Sequence, residues 1–259
     1  MHGSGSRPES PVILVTGAAR RIGRAIAMTL HAVGARVILH CHRSCAEAEA
    51  LAVELGGLRP SSAAVVSANL LDTKGLAAMV DIAASTFGRL DGLVNNASSF
   101  HETPLGSVDG PGWEDLIGTN LRAPLLLAQA AAPHLRKARG AIVNIVDIHA
   151  ERPLRHYVVY TVAKGGLAAL TRSLAIELAP EVRVNGVAPG AILWPEDGKH
   201  FPPEEQARIA AQTPLGRAGN PADVAGAVKY LLLDAPFVTG QILAVDGGSR
   251  AGVAVMRES

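Results

Sequence analysis

Short β-branched or apolar runs alternate with longer Ala- and Leu-rich segments along most of the chain. Short apolar runs bounded by turns are typical of fully buried strands, and their alternation with helical segments is typical of β-α-β units around a parallel sheet. The sequence therefore predicts an α/β fold with seven strands, at residues 12–16, 36–40, 63–68, 92–96, 141–146, 182–188 and 241–245.

The segments between these runs predict helices. Residues 21–34 read as a helix closed by Gly34, and residues 45–57 as one closed by Gly56 and Gly57, because glycine suits a left-handed cap. Two long helices are predicted at 113–140 and 156–180. Their apolar surface is broader than one sheet needs, which indicates a homo-oligomer. The Pro-rich, poorly periodic stretch 188–206 predicts a mobile loop, and we place a substrate loop at about 190–215.

Composition narrows the class of protein. The chain has 259 residues, of which 48% are hydrophobic and only 3% aromatic, so the core must be built from Ala, Val, Leu and Ile. We expect one domain over residues 11–259, preceded by a flexible leader at 1–10. No segment has the apolar length of a signal peptide or a membrane span, which favours the cytoplasm and no membrane partner.

Charge and cysteine content exclude other functions. The chain carries 24 Lys and Arg against 23 Asp and Glu, so no global field favours nucleic acid. Its two cysteines, Cys41 and Cys45, are too few for a disulfide framework and lack the spacing of a zinc site. We expect two reduced thiols and no metal.

A glycine-rich turn follows the first predicted strand. It reads Thr16-Gly17-Ala18-Ala19-Arg20-Arg21-Ile22-Gly23 and leads directly into a helix. Backbone N–H groups in such a turn, together with the positive end of the helix, bind a pyrophosphate. This context, after a strand and before a helix, predicts a dinucleotide site.

The end of the second strand indicates which dinucleotide. An acidic residue there would hold a ribose 2′-hydroxyl, whereas this chain has His42, Arg43 and Ser44. A cation and a hydroxyl fit a 2′-phosphate, so we expect NADPH. The alternative is a solvated polar turn. After the third strand, Asn69 and Leu70 are placed to flank the adenine.

The fourth strand ends in Asn95-Asn96-Ala97, which places amide side chains and a small residue beside the cofactor. The loop that follows contains Ser98 and Phe100. An aromatic side chain in this polar loop is a candidate platform for a flat ring stacked over the nicotinamide. The alternative is a loop aromatic that covers the core.

Residues 144–164 hold the candidate catalytic groups. Tyr160 and Lys164 lie one helical turn apart, so that the lysine can lower the pKa of the tyrosine and bind the nicotinamide ribose. Asp147 stands thirteen residues before Tyr160, where a carboxyl group can hold or relay a proton. The alternatives for Asp147 are a solvated carboxylate and a cap for the following turn.

The order of these motifs resembles the short-chain dehydrogenase/reductase family. The shared pattern runs from Thr16-Gly17 and Gly23 through Asn95-Asn96-Ala97, Asn120, Tyr160 and Lys164 to Pro189-Gly190 and Asp246-Gly247-Gly248, over residues 11–250. The resemblance implies one Rossmann-fold domain with strand order 3-2-1-4-5-6-7, helices on both faces, and a homotetramer. It also implies that Asn120 belongs to the catalytic set and that Pro189 and Gly190 contact the cofactor.

Within that family the chain is similar to the pteridine reductases, which carry an aspartate where relatives have a serine. This likeness implies NADPH-dependent reduction of a pterin, with dihydrofolate as a further substrate. It implies pterin contacts from Arg21, Ser98, Phe100, Asp147 and Tyr160. Trp194 is a further candidate for substrate contact, in the loop region 191–215 where the chain departs from the best-known pteridine reductases. Two alternatives stay open: a carbonyl or 3-oxoacyl thioester reductase, and a non-catalytic NADP-binding sensor or scaffold.

Overall fold

Seven parallel strands form one sheet in the computed structural model, which describes residues 10–193 and 202–252. The strands are β1 (Val12–Val15), β2 (Arg36–Cys41), β3 (Ala63–Ser67), β4 (Gly92–Asn95), β5 (Ala141–Ile145), β6 (Arg183–Pro189) and β7 (Ile242–Val245). Their order across the sheet is β3-β2-β1-β4-β5-β6-β7. This order and the parallel pairing confirm the predicted fold, and each strand lies within one residue of its predicted bounds.

Helices connect the strands. They are α1 (Arg21–Ala32), α2 (Cys45–Leu58), α3 (Leu76–Thr86), α4 (Gly110–Ile117), α5 (Ala123–Ala138), α6 (Val158–Glu177), α7 (Pro203–Gln212) and α8 (Pro221–Lys229). Helix α7 lies inside the predicted substrate loop. Among the described residues, no helix combines the length and the apolar character needed to cross a bilayer.

Two helix predictions were wrong in detail. Helix α2 continues through Gly56 and Gly57 to Leu58, because Leu51 and Leu55 are buried against the sheet and hold the helix in spite of the glycines. The predicted helix 113–140 is interrupted between α4 and α5 by a π-helical segment, Gly118–Arg122. Single π turns inside α-helices are frequent at functional sites, and this one carries Asn120.

The sheet lies between two layers of helices. Alternate residues of a strand point to opposite faces, so Val12 and Leu14 of β1 pack with α3, α5 and α6, while Ile13 and Val15 pack with α1, α2 and α8. All four are buried. Burial on both faces explains why the strands read as continuous apolar runs.

A buried chain of polar side chains joins the sheet to α6. Asn95 Nδ2 donates to Asn144 Oδ1 at 2.8 Å, and Asn144 Nδ2 donates to Thr171 Oγ1 at 2.9 Å. The Thr171 hydroxyl in turn donates to the Leu167 carbonyl at 2.8 Å. A buried polar group without its hydrogen bond costs free energy of folding, so these linked side chains fix the position of α6, which carries the catalytic candidates. Asn95 therefore faces the interior and not the cofactor.

Candidate active site

Two adjoining cavities open at the carboxyl ends of the strands, where open α/β sheets bind ligands. The first has a volume of about 570 Å³ and is lined by the glycine turn and the ends of β2 and β3. The second, of about 800 Å³, is lined by the residues that follow β5 and β6 and by α7. Both cavities are lined in part by Arg21, Ile22, Asn96 and Ser98.

The glycine turn is closely packed, and two of its positions favour glycine. Gly17 has φ +62°, a left-handed conformation that favours glycine. A Cβ added to Gly23 would lie 2.1 Å from the Gly17 carbonyl oxygen and 2.6 Å from Asn96 Nδ2. The first cavity brings together most of the predicted cofactor residues: Gly17, Arg20, Arg21, Ile22, Gly23, His42, Arg43, Ser44, Asn69, Leu70, Asn96, Ala97 and Ser98.

Thr16 lies below the turn and lines neither cavity. Its hydroxyl donates to the Val94 carbonyl at 3.2 Å and accepts from the backbone N–H groups of Asn96 and Ala97 at 2.9 and 3.0 Å. Asn96 Nδ2 closes the arrangement by donating to the Thr16 carbonyl at 2.8 Å. Thr16 therefore ties the glycine turn to the end of β4, a supporting role that differs from the cofactor contact predicted for it.

His40 is a residue of this site that the sequence did not indicate. Its Nδ1 accepts from the Gly17 N–H at 3.2 Å, and its Nε2 lies 3.2 Å from the Ala68 carbonyl, which makes Nε2 the protonated nitrogen. Burial lowers the pKa of His40 to about 4. The neutral ring thus holds the glycine turn against the end of β3, and a polar residue in the buried strand β2 was the available signal.

The residues that follow β2 lie at the rim of the first cavity. His42 and Arg43 are exposed and Ser44 is partly buried at the rim of the first cavity. The flanking cysteines correct a prediction, because the structure joins Cys41 to Cys45 by a disulfide in place of two reduced thiols. The last residue of β2 and the first of α2 have Cα atoms 5.3 Å apart, which is within the range for disulfides.

Arg21 joins the two cavities. It has φ +52° at the start of α1, a conformation that costs a side-chain-bearing residue roughly 1–2 kcal/mol. Its guanidinium donates from Nη2 to the Leu193 carbonyl at 3.2 Å, at the wall of the second cavity. Strain of this kind persists at functional sites, and here it places a cation between the two cavities.

The predicted catalytic residues Asp147, Tyr160 and Lys164 meet in the second cavity. The Tyr160 hydroxyl donates to Asp147 Oδ2 at 2.7 Å. Asp147 Oδ1 accepts from the His149 backbone N–H at 2.9 Å, so this residue also caps the short turn that follows β5. The capping role and the contact with Tyr160 thus coexist on the two oxygens of one carboxylate.

Lys164 is buried behind Tyr160. Its Nζ donates to the Ile145 carbonyl at 2.9 Å and lies 5.6 Å from the centre of the Tyr160 ring. Burial lowers the pKa of Lys164 to about 8, and the charge of Asp147 opposes that shift. An ammonium group with so little water around it is costly, which marks Lys164 as a functional and not a stabilising residue.

The pKa of Tyr160 differs from the prediction. Burial raises the pKa of Tyr160 well above its ordinary value, and the charge of Asp147 and the hydrogen bond to it raise it further. The lowering that we expected from Lys164 was wrong, because the carboxylate touches the hydroxyl whereas the ammonium lies beside the ring. Tyr160 is therefore a neutral phenol that carries its proton.

Aromatic and amide side chains shape the other wall. The Phe100 ring stacks on Tyr157 with centroids 4.5 Å apart and meets the edge of Tyr160 at 4.8 Å. The Ser98 hydroxyl donates to Asn120 Oδ1 at 2.6 Å, while Asn120 Nδ2 donates to the carbonyls of Ser99 and Leu116. Asn120 thus holds the Ser98 loop, and its described side-chain bonds do not include Tyr160 or Lys164.

The remaining predictions divide in two. Pro189 and Gly190 line the second cavity. Trp194 and most of the leader lie outside the described residues. Three residues of the site were not predicted from the sequence: Tyr157, which stacks on Phe100, and His149 and Arg152, which line the second cavity.

Fold and site together define a class: an oxidoreductase with a Rossmann fold and a site for a nicotinamide dinucleotide. Comparison with known proteins gives the family. A family model described as enoyl-(acyl carrier protein) reductase matches residues 17–250. The chain is 39% identical to pteridine reductase 1 of Leishmania tarentolae, over 93% of this chain and 96% of the relative. It belongs to the short-chain dehydrogenase/reductase family and is an NAD(P)-dependent reductase.

Other relatives are similar to the same degree. The putative ketoacyl reductase 2 of the granaticin polyketide synthase of Streptomyces violaceoruber is 39% identical, over 93% of this chain and 97% of its own length. The 3-oxoacyl-(acyl-carrier-protein) reductase FabG of Staphylococcus aureus is 37% identical, over 91% and 96%. Overall similarity therefore leaves the substrate open, and only the site can argue for one.

Proposed function

We propose that this chain is an NADPH-dependent pteridine reductase that reduces a dihydropterin, such as dihydrobiopterin or dihydromonapterin, to its tetrahydro form, with dihydrofolate as a secondary substrate. The observation that carries the proposal is the 2.7 Å hydrogen bond from the Tyr160 hydroxyl to Asp147. It places a carboxyl group and a phenol together in the cavity where the substrate would lie.

The nature of Asp147 argues for a C=N bond over a C=O bond. Reduction of a ketone builds negative charge on oxygen, and an adjacent carboxylate would repel it. Reduction of a ring C=N bond needs a proton at nitrogen, which a phenol paired with a carboxyl group can supply. The partly exposed carboxyl group of Asp147 lines the cavity.

The cofactor supplies a hydride from its nicotinamide ring when bound. The chain's own residues do the rest. Tyr160 holds its proton in the hydrogen bond to Asp147, and its raised pKa keeps the phenol protonated before the substrate binds. We expect Lys164 to bind the nicotinamide ribose, and we expect the exposed Phe100 ring at the cavity wall to pack against a flat substrate ring.

NADPH is the form of the cofactor that the rim residues favour. Arg43 and Ser44 supply a cation and a hydroxyl, and β2 ends without the acidic residue that holds a 2′-hydroxyl. We expect Arg43→Ala to weaken NADPH binding by about tenfold or more, because a hydrogen bond to a charged group is worth roughly 1.5–3 kcal/mol. NADH binding should change little. Titration of each cofactor by fluorescence measures both, and equal losses for the two would contradict the assignment.

The substrate is tested by following NADPH absorbance with dihydrobiopterin, dihydromonapterin and dihydrofolate. Asp147→Asn is the matched variant, because the amide oxygen keeps the cap to His149 while the amide cannot relay a proton. We expect turnover of at least one pterin, and a loss of about a hundredfold or more in kcat for Asp147→Asn. Absence of turnover with every pterin and folate would overturn the proposal.

A second candidate is reduction of a ketone or a 3-oxoacyl thioester, which the equally similar ketoacyl reductase favours. This candidate predicts that Asp147→Ser increases ketone turnover, because a hydroxyl can donate to the developing oxyanion. The pterin proposal predicts that the same variant loses pterin turnover. A panel with both substrate types therefore separates the two. Cofactor binding without turnover of either type would indicate a non-catalytic sensor.

We also propose that the chain is a homotetramer. Helices α5 and α6 leave Leu125, Val158, Val162 and Ile176 between 41% and 79% exposed. Apolar surfaces of this kind in a long helix pair are typical of contacts between subunits. Light scattering coupled to size exclusion tests this, with Ile176→Glu and Val162→Glu as disrupting variants. A monomer at micromolar concentration would contradict the proposal.

A further inference from the structure

The disulfide links the two ends of the segment 42–44, which lies at the rim of the first cavity. Cys41 is the last residue of β2, Cys45 is the first of α2, and between them lie only His42, Arg43 and Ser44. These three residues and Cys41 line the first cavity. The bond therefore fixes both ends of the segment assigned to the 2′-phosphate.

The two sulfur atoms are unequally accessible. Cys41 is 2% exposed and packs against Ala19 of the glycine turn and Ala48 of α2. Cys45 is only partly buried and begins a helix of 14 residues, whose positive end stabilises a thiolate. Thiol–disulfide exchange therefore has one reachable sulfur, that of Cys45, while Cys41 is the buried partner.

Both cysteines have hydrogen-bond partners close by, and these partners stay within reach when the cysteines are reduced to thiols. Cys41 Sγ lies 3.8 Å from the Val66 carbonyl, and Cys45 Sγ lies 3.4 Å from both the His42 carbonyl and Ser67 Oγ. The sheet pairing of β2 with β3 continues to Cys41 independently of the sulfur bond. Reduction therefore leaves the fold intact and frees only the short segment between the cysteines.

We propose that Cys41 and Cys45 form a reversible redox site that sets the affinity of the enzyme for the 2′-phosphorylated dinucleotide. The inference rests on the proposed preference for NADPH. In the oxidised state the segment 42–44 is held with its ends fixed, so little of its freedom is lost when the phosphate binds. In the reduced state the same segment must be ordered by the ligand.

The exchange is balanced. A small-molecule disulfide oxidises the pair: the Cys45 thiolate attacks it, forms a mixed disulfide and releases one thiol. The Cys41 thiolate then attacks Cys45 Sγ, forms the internal bond and releases the second thiol. Two electrons pass from the cysteines to the oxidant, which takes up the two protons. A dithiol reductant reverses both steps.

The test compares the full chain after treatment with oxidised glutathione and after treatment with dithiothreitol followed by its removal. Because the chain has only two cysteines, a thiol count reports the state directly. We expect no free thiol in the first sample and two in the second. We expect the reduced protein to bind NADPH about fivefold more weakly, which corresponds to about 1 kcal/mol, and NADH with unchanged affinity.

Cys45→Ser is the matched variant, because serine keeps the size of the side chain and cannot form the bond. Its NADPH affinity should equal that of the reduced protein under both treatments. Two free thiols after oxidation, equal NADPH affinity in both states, or tighter binding in the reduced state would each overturn the inference. Equal affinity for NADPH and NADH in both states would instead refute the proposed cofactor preference, so the two failures are distinguishable.

Discussion

Lys164→Met should make the protein more stable while it removes the activity. The ammonium group is buried, and its pKa falls from 10.5 to about 8 in the folded chain. That difference means that the charged lysine costs about 3 kcal/mol of folding free energy at neutral pH. Methionine removes this cost and leaves the Ile145 carbonyl without its donor, which costs about 1–2 kcal/mol. The free energy of unfolding should therefore rise by about 1–2 kcal/mol.

The dependence on pH identifies the cause. Between pH 8 and 10.5 the unfolded chain binds the lysine proton while the folded chain has lost it, so the stability of the wild type rises with pH in this range. Below pH 8 the cost is fully present. The advantage of Lys164→Met should therefore be constant below pH 8, should shrink as the pH rises, and should become a deficit of about 1–2 kcal/mol near pH 10.5, where only the lost hydrogen bond to Ile145 remains.

Urea unfolding of the cofactor-free protein at neutral and alkaline pH measures both effects. Lys74→Met is the control, because Lys74 is an exposed lysine outside the site and the same substitution there should give no pH-dependent difference. A Lys164→Met protein that is less stable than the wild type at neutral pH, or whose difference does not change with pH, would refute the reasoning.

Three further predictions concern the cofactor end of the site. Gly23→Ala should abolish cofactor binding in a fluorescence titration and lower the free energy of unfolding by about 1–3 kcal/mol, because its Cβ would meet the Gly17 carbonyl. His40→Leu should leave the Gly17 N–H and the Ala68 carbonyl unpaired, so the KM for cofactor should rise more than kcat falls. His40→Asn should restore part of the lost affinity. An effect on kcat alone would contradict this role. Arg21→Gly should change the free energy of unfolding by no more than about 0.5 kcal/mol, because the relief of the left-handed backbone strain is offset by the greater conformational entropy that glycine loses on folding. The KM for substrate should rise about tenfold.

The fold was predictable because each strand is buried on both faces. Runs such as Val12–Val15 stay apolar throughout, which leaves no ambiguity about where the sheet lies. The helix ends were less predictable. Gly56 and Gly57 have the local signature of a cap, but packing of Leu51 and Leu55 carries α2 past them. The π-helical segment at Asn120 has no local signature at all.

In the site, too, local features were predictable and long-range contacts were not. The glycine turn and the spacing of Asp147, Tyr160 and Lys164 are local in the sequence, and the structure brings most of the predicted residues together. His40 was missed because its partners lie 23 and 28 residues away, and nothing near it in the sequence marks them. The pKa of Tyr160 depends on which charge touches the hydroxyl, a question that spacing along the chain does not answer.

The Thr16 hydroxyl sets a boundary for anyone who redesigns this enzyme. Because this hydroxyl accepts from the backbone N–H groups of Asn96 and Ala97, the end of β4 and the two residues that follow it are fixed to the glycine turn. From Ser98 onward the chain is held by side-chain hydrogen bonds, above all those of Asn120. A loop grafted in after Ala97 would therefore change the substrate pocket while keeping the glycine turn, and of the residues that line the first cavity it would replace only Ser98 and Ser99.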